Sequence, residues 1–204
     1  MNADSDYRWL NVSPDYYPEL KRFECAQPVP AKTVQDTFKR YAEQDDEADF
    51  INLFESEGGC IYWRYALEVQ DFIQKVNYDL DFQYQWADIC VERTRDAHRV
   101  GRIYGVVCFA LDLADDDFGE DRGFIAYIAR ANAVSQCGMG EVLLNHACQK
   151  IQQQCEGRSN PLSIMARIHP ENIPSKSMFA RRGFEDYGVD PVATQYHQWV
   201  WFVK

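Results

Sequence analysis

At 204 residues, 46% of them hydrophobic and 26% charged, the chain can bury one good core, so a single globular domain is expected and wholesale disorder is excluded. A formal charge of −11 with no Lys/Arg cluster opposes nucleic acid as a partner and favours cationic ones. No apolar run approaches the roughly 18 residues of a bilayer span, and residues Met1 to Asp6 lack the basic and apolar regions of a signal peptide. A protein of the cytoplasm, away from membranes, is expected.

The seven cysteines (Cys25, Cys60, Cys90, Cys108, Cys137, Cys148 and Cys155) are odd in number, scattered, and include no C-x-x-C pair. Neither a disulfide framework nor a metal site is expected. In chain order, residues 1–18 read as an N-terminal extension and 19–204 as the domain. Prolines 14, 18, 28 and 30 punctuate the start, with a strand near Leu20 to Cys25. Ala31 to Tyr41 reads as a helix, and an apolar helical pattern resumes through Phe50, Leu53, Trp63, Leu67, Phe72 and Val76.

The period then changes to two, predicting strands at Trp86–Arg93, Arg102–Leu113 and Phe124–Ala131. An acidic loop, Asp112 to Asp121, precedes the third of these. Next comes Ser135-Gln136-Cys137-Gly138-Met139-Gly140-Glu141, opening a helix whose apolar residues Leu143, Ala147 and Ile151 recur at helical spacing. Two glycines between a strand and a helix let main-chain amides approach a ligand, and the positive end of the helix dipole suits phosphate. Leu162–His169 reads as a strand, and Asn172 can cap a helix ending in Arg181-Arg182-Gly183. Phe184–Val189 and Thr194–Val203 close the pattern as strands. The fold class expected is α/β (α+β): a mixed, mostly antiparallel sheet layered by helices.

Two motifs on this pattern resemble those of the GNAT superfamily of acyl-CoA-dependent N-acetyltransferases, over roughly residues 19 to 204. The first, Arg/Gln-x-x-Gly-x-Gly/Ala, is met by Ser135-x-x-Gly138-x-Gly140, with serine in place of the leading residue. The second is met at every position by Asn172-x-x-Ser175-x-x-Met178-Phe179-x-Arg181-x-Gly183-Phe184, and it begins 34 residues after Gly138. The resemblance implies a splay between the fourth and fifth strands, into which the pantetheine of acetyl-CoA pairs like an extra strand. It places those contacts on Ile128, Ala129 and Arg130, and the diphosphate on the amides from Gln136 to Glu141. Ser135, Cys137, Met139, Asn172, Ser175, Phe179 and Arg181 belong to the same implied site.

The same resemblance leaves the proton chemistry open. The aromatic position that commonly carries an acidic tyrosine is Phe179, and the positions of the usual glutamate base hold Phe124 and Arg167. Two readings follow. In one, His169, Tyr127 or Glu120 (or Asp121 beside it, through water) replaces those groups in an active enzyme that acetylates a primary amine. In the other, the chain binds acyl-CoA without transferring it, as a sensor or interaction module. The acceptor side is expected from the early helices and the last strands: Tyr62, Trp63, Tyr65, Glu68, Tyr196, His197 and Trp199, aromatics and carboxylates that suit an ammonium. A monomer or homodimer is expected.

Overall fold

The computed structural model describes residues 7–25, 62–76, 81–94, 101–115, 119–134 and 138–203. The helix read at Ala31 to Tyr41, its continuation through Phe50 and Leu53, and the site residues Ser135, Gln136 and Cys137 lie outside them. So do the side chains of Tyr62, Trp63, Tyr65 and Leu67.

Seven strands form one sheet: β1 (Tyr7–Asn11), β2 (Tyr84–Glu92), β3 (Ile103–Asp112), β4 (Asp121–Arg130), β5 (Leu162–Ile168), β6 (Glu185–Val189) and β7 (His197–Val203). Their spatial order is β1-β2-β3-β4-β5-β7-β6. Every neighbouring pair is antiparallel except β4 and β5, which run parallel. The helices among the described residues are α1 (Tyr17–Leu20), α2 (Tyr62–Gln74), α3 (Met139–Gln154) and α4 (Ile173–Arg182). One face of the sheet carries α3 and α4 over a core that includes Phe109, Leu111, Leu143, Ala147, Ile151, Ile164 and Phe179. The other carries α1 and α2 over Leu20, Phe23, Ile73, Ile89 and Val106.

Because helices cover both faces, β3 is buried almost throughout rather than alternating. Gly105 makes this possible: a Cβ there would meet Leu143 Cδ1 at 2.7 Å and the Ala129 carbonyl oxygen at 2.9 Å, so its absence lets α3 lie close to the sheet. That contact fixes where the first turn of α3 falls relative to the end of β4.

Two N-terminal readings differ from the structure. Tyr7–Asn11, inside the stretch read as an extension, pairs antiparallel with β2 from Glu92 to Asp88. The strand read near Leu20 to Cys25 is instead a helical turn and a bend. Pro18 sets a helical φ at the start of α1, and Leu20 and Phe23, three residues apart, both turn into the core.

Asp121 is fully buried where β4 begins and is clamped by Arg158 through bonds of 2.7 and 3.0 Å, with the Ala114 amide donating at 2.8 Å. Burial alone would push this carboxyl up; the bonds from Arg158 and Ala114 outweigh it and hold it below the usual carboxylate range. Asp186 and Asp190 are held low in the same way, by His197 and the Gly188 amide and by the Ala193 amide and Arg167. A carboxyl depressed in the folded chain contributes stability that is fully present above its unfolded value, about 4, and is lost as pH falls through the folded value. Urea unfolding should therefore show lower stability at about pH 3 than at about pH 6, and Asp121→Asn should cost about 3 kcal/mol at the higher pH.

Candidate acyl-CoA site

The site begins with a one-residue irregularity in β4. Against β3, Cys108 pairs with Tyr127 and Phe109 with Ile125, so Ala126 is an extra residue with no partner. A bulge of this kind bends its strand and increases the local twist. The consequence appears on the other side of β4. Pairing with β5 runs from Asp121↔Leu162 to Ile125↔Ala166 and goes no further, while β4 continues to Arg130. Beyond Ile125 the two parallel strands part, and the edge of β4 that faces β5 has no strand partner.

A cleft of about 300 Å³ fills the gap. Its walls are residues 125–130 of β4, Ala166, Arg167 and Ile168 of β5, and Asn172, Ser175, Met178 and Phe179 along α4 and its cap, with Ala66 and Val69 of α2 across the mouth. Ile128, Ala129 and Arg130 thus line this cleft, as do Asn172, Ser175 and Phe179. Asn172 also caps α4, its side chain accepting from the Ser175 amide at 3.3 Å.

Near the far end of β4, Gly138 takes φ 85° and leads directly into α3. Among the described residues no side chain caps the first turn there, and the Val142 amide bonds to the Gly138 carbonyl at 3.1 Å. The amides of Met139, Gly140 and Glu141 are the unpaired donors that open any helix. The Met139 side chain is buried in the core, so this residue can offer a ligand only its amide.

Charge around this turn is arranged internally. Glu141 would repel an anion, but Arg181 donates to it from Nε at 2.7 Å and from Nη2 at 2.6 Å. Arg182 lies over the Trp201 ring at 3.9 Å. Neither arginine is a free cation. Arg130 is exposed, lines the cleft, and makes no ion pair among the described residues. Alternation along β4 makes its side chain conspicuous only once the bulge is known.

The remaining sequence candidates separate. Glu120 is exposed just before β4, five residues before Ile125 and about 17 Å along the strand from it; its neighbour Asp121 is committed to Arg158. Neither reaches the cleft. Trp199 does not face an acceptor: on β7 it opposes Ala166 and points into the core beneath α4, 6% exposed. The Trp63 side chain is among those not described. His169 follows β5, and its Nδ1 accepts from the Glu171 amide at 3.3 Å, which leaves the proton of the neutral ring on Nε2, as a donor.

Tyr127 is the exception. The bulge turns it away from the α3 face, it lines the cleft, and its ring stacks on Phe72 of α2 at 3.8 Å. Burial and then the charge of Glu68 push its phenol up. Tyr196, ahead of β7, donates its hydroxyl to Glu68 at 2.9 Å, and burial followed by that bond pushes it up to about 12.

The positions of the usual glutamate base are filled structurally. Phe124 stacks on Phe82 at 5.4 Å, and Arg167 binds buried Asp190 at 2.8 Å. Phe179, 5% exposed, packs edge-on against Phe184.

A parallel pair that parts at a bulge, beside a glycine-opened helix, defines the fold of the GNAT superfamily, and this chain has that fold. Solved structures match along nearly the whole chain. The NatC complex bound to a Gag peptide and CoA is 10% identical, covering 98% of this chain and 100% of that one at a TM-score of 0.52. The PaiA N-acetyltransferase of Thermoplasma acidophilum in complex with coenzyme A is 11% identical, covering 97% and 99% at 0.51. A mutant AtaT toxin bound to the C-terminus of the antitoxin AtaR and to acetyl-CoA is 12% identical, covering 97% and 94% at 0.50. No family model matches the sequence, and no curated protein matches it.

Arg167→Ala would leave Asp190 with only its two amide donors, Val192 and Ala193. The variant should lose about 2 kcal/mol of stability in urea unfolding.

Proposed function

We propose that the chain is an N-acyltransferase that moves an acetyl or other short acyl group from acyl-CoA directly to a primary amine on a small cationic molecule or peptide. It would work in the cytoplasm, without a metal, as a monomer or homodimer. The observation that carries this reading is the parting of β4 from β5 next to the uncapped first turn of α3. The unpartnered edge of β4 suits an extended amide-bearing arm, which pairs with main chain as a strand would. The amides from Gly138 onward suit a diphosphate. Arg130 would add the charge that Ser135 lacks.

A backbone N–H beyond the bulge, near Ile128, is the natural donor to a thioester oxygen as it gains charge. The net charge of −11 favours a cationic acceptor over nucleic acid. A second reading, a silent acyl-CoA-binding module, is favoured by one set of contacts: Phe124, Arg167 and Phe179 all serve the core or an ion pair.

Calorimetric titration with acetyl-CoA tests the shared site. Gly138→Asp meets nothing within 4 Å of its Cβ, and aspartate is among the residues that adopt a positive φ at some strain, so the variant should fold with reduced stability, checked by urea unfolding. Its carboxylate would confront the diphosphate, and affinity should fall by at least about 100-fold, roughly 3 kcal/mol. Unchanged affinity would remove the assigned site. Thiol release on incubation with amines then separates the enzyme from the silent module.

A further inference from the structure

We propose that Glu68 is the catalytic base that takes a proton from the acceptor ammonium, with Tyr196 as the positioning residue that holds its carboxylate. This rests on the transferase reading above. Glu68 lies on α2 one helical turn before Phe72, and residues four apart share a helix face. Phe72 stacks on Tyr127 at 3.8 Å, so that face looks onto the bulge of β4, where the cleft opens. From the other side, 128 residues further on, Tyr196 donates to Glu68 Oε1 at 2.9 Å. Glu68 makes no other hydrogen bond among the described residues, and its exposed carboxylate keeps Oε2 for an incoming ligand.

The neighbouring groups cannot take the proton. Burial and Glu68 keep both Tyr127 and Tyr196 protonated at neutral pH. His169 lies edge-on to Tyr196 at 6.2 Å with its Nδ1 engaged by the Glu171 amide. Among the described residues Glu68 is the remaining carboxylate at this mouth, and its charge also attracts the ammonium.

The step balances as follows. The ammonium gives one proton to the Glu68 carboxylate, and the freed nitrogen pair attacks the carbonyl carbon of the acyl thioester. The C–N bond forms while the carbonyl pair moves to oxygen. On collapse the C–S bond breaks, sulfur leaves with its pair, and the second proton from nitrogen completes the thiol. Glu68 returns its proton to water, leaving amide and free CoA.

Thiol release from acetyl-CoA is measured at neutral pH with spermidine, with a hexapeptide bearing a free N-terminus, and with aniline, which is already uncharged. Glu68→Gln should lower kcat/KM for a cationic probe by ~10²–10⁴-fold. The aniline rate should change little, because that nucleophile has no ammonium proton to surrender; a purely structural role would depress both alike. Tyr196→Phe should lower kcat about tenfold with the KM for acetyl-CoA unchanged. An equal loss on aniline and the cationic probes, or none on either, overturns the assignment. So does a wild-type protein that binds acetyl-CoA and turns over no probe, although the coenzyme site then stands. Failure of the wild type to bind acetyl-CoA is a different result, and it defeats the underlying reading.

Discussion

The bulge at Ala126 governs the rest of the structure. A parallel pair would normally continue to the end of its shorter strand, and an interrupted pair leaves main-chain groups without partners, which is unfavourable away from water. Here one surplus residue rotates β4 so that pairing with β5 ends at Ile125, and the edge left over lines a cleft. The same residue changes which side chains face which helix. Tyr127 is delivered to the α2 side, where Phe72 receives it, and Ile128 goes to the side of α3. A local irregularity thus opens the cleft and furnishes its mouth together.

The two ends of that cleft are built on different physics. At the α3 end the elements are main-chain amides, a left-handed glycine and a charge balance in which Arg181 cancels Glu141. Side-chain identity matters little to an amide, so the proposed diphosphate contacts do not depend on the side chain at position 135. At the mouth, by contrast, the polar groups are side chains, and they come from α2 and from the turn before β7. The positions nearer the sheet have been given to the core: Phe124 to a stack with Phe82, Arg167 to Asp190, and Phe179 to Phe184.

Much of the fold was legible in the sequence because its strongest signals are local. Asn172 as a cap, Gly183 at the helix end, and the apolar runs of β2, β5 and β7 each depend on residues within a few positions of one another. What was not legible depends on contacts made across the chain. Nothing in Phe124 to Arg130 marks Ala126 as surplus, since a bulge is defined by its partner strand. The alternation that assigns Trp199 to a face needs the neighbour β5, and without it an aromatic on a late strand reads equally as acceptor wall or core. Glu120 looked near the site because it is near in sequence, yet a strand carries it about 17 Å away. Leu20 to Cys25 has strand-like residues, but Pro18 starts a helical turn first.

The contact between Glu68 and Tyr196 shows why the proton-handling groups were hardest to find. Neither residue carries a motif, and their separation of 128 residues means that the sheet must be complete before the hydrogen bond can form. Placing a base there has a physical advantage. A carboxylate buried beside a thioester would suffer desolvation at every stage of the proposed transfer, whereas one at an exposed mouth keeps its hydration until an ammonium arrives. Two tyrosines beside it, pushed up first by burial and then by Glu68, do not compete for the proton. The donor end can therefore remain almost entirely main chain, and the chemistry of the acceptor can be tuned by substitutions on α2 and before β7 that leave the cleft itself untouched.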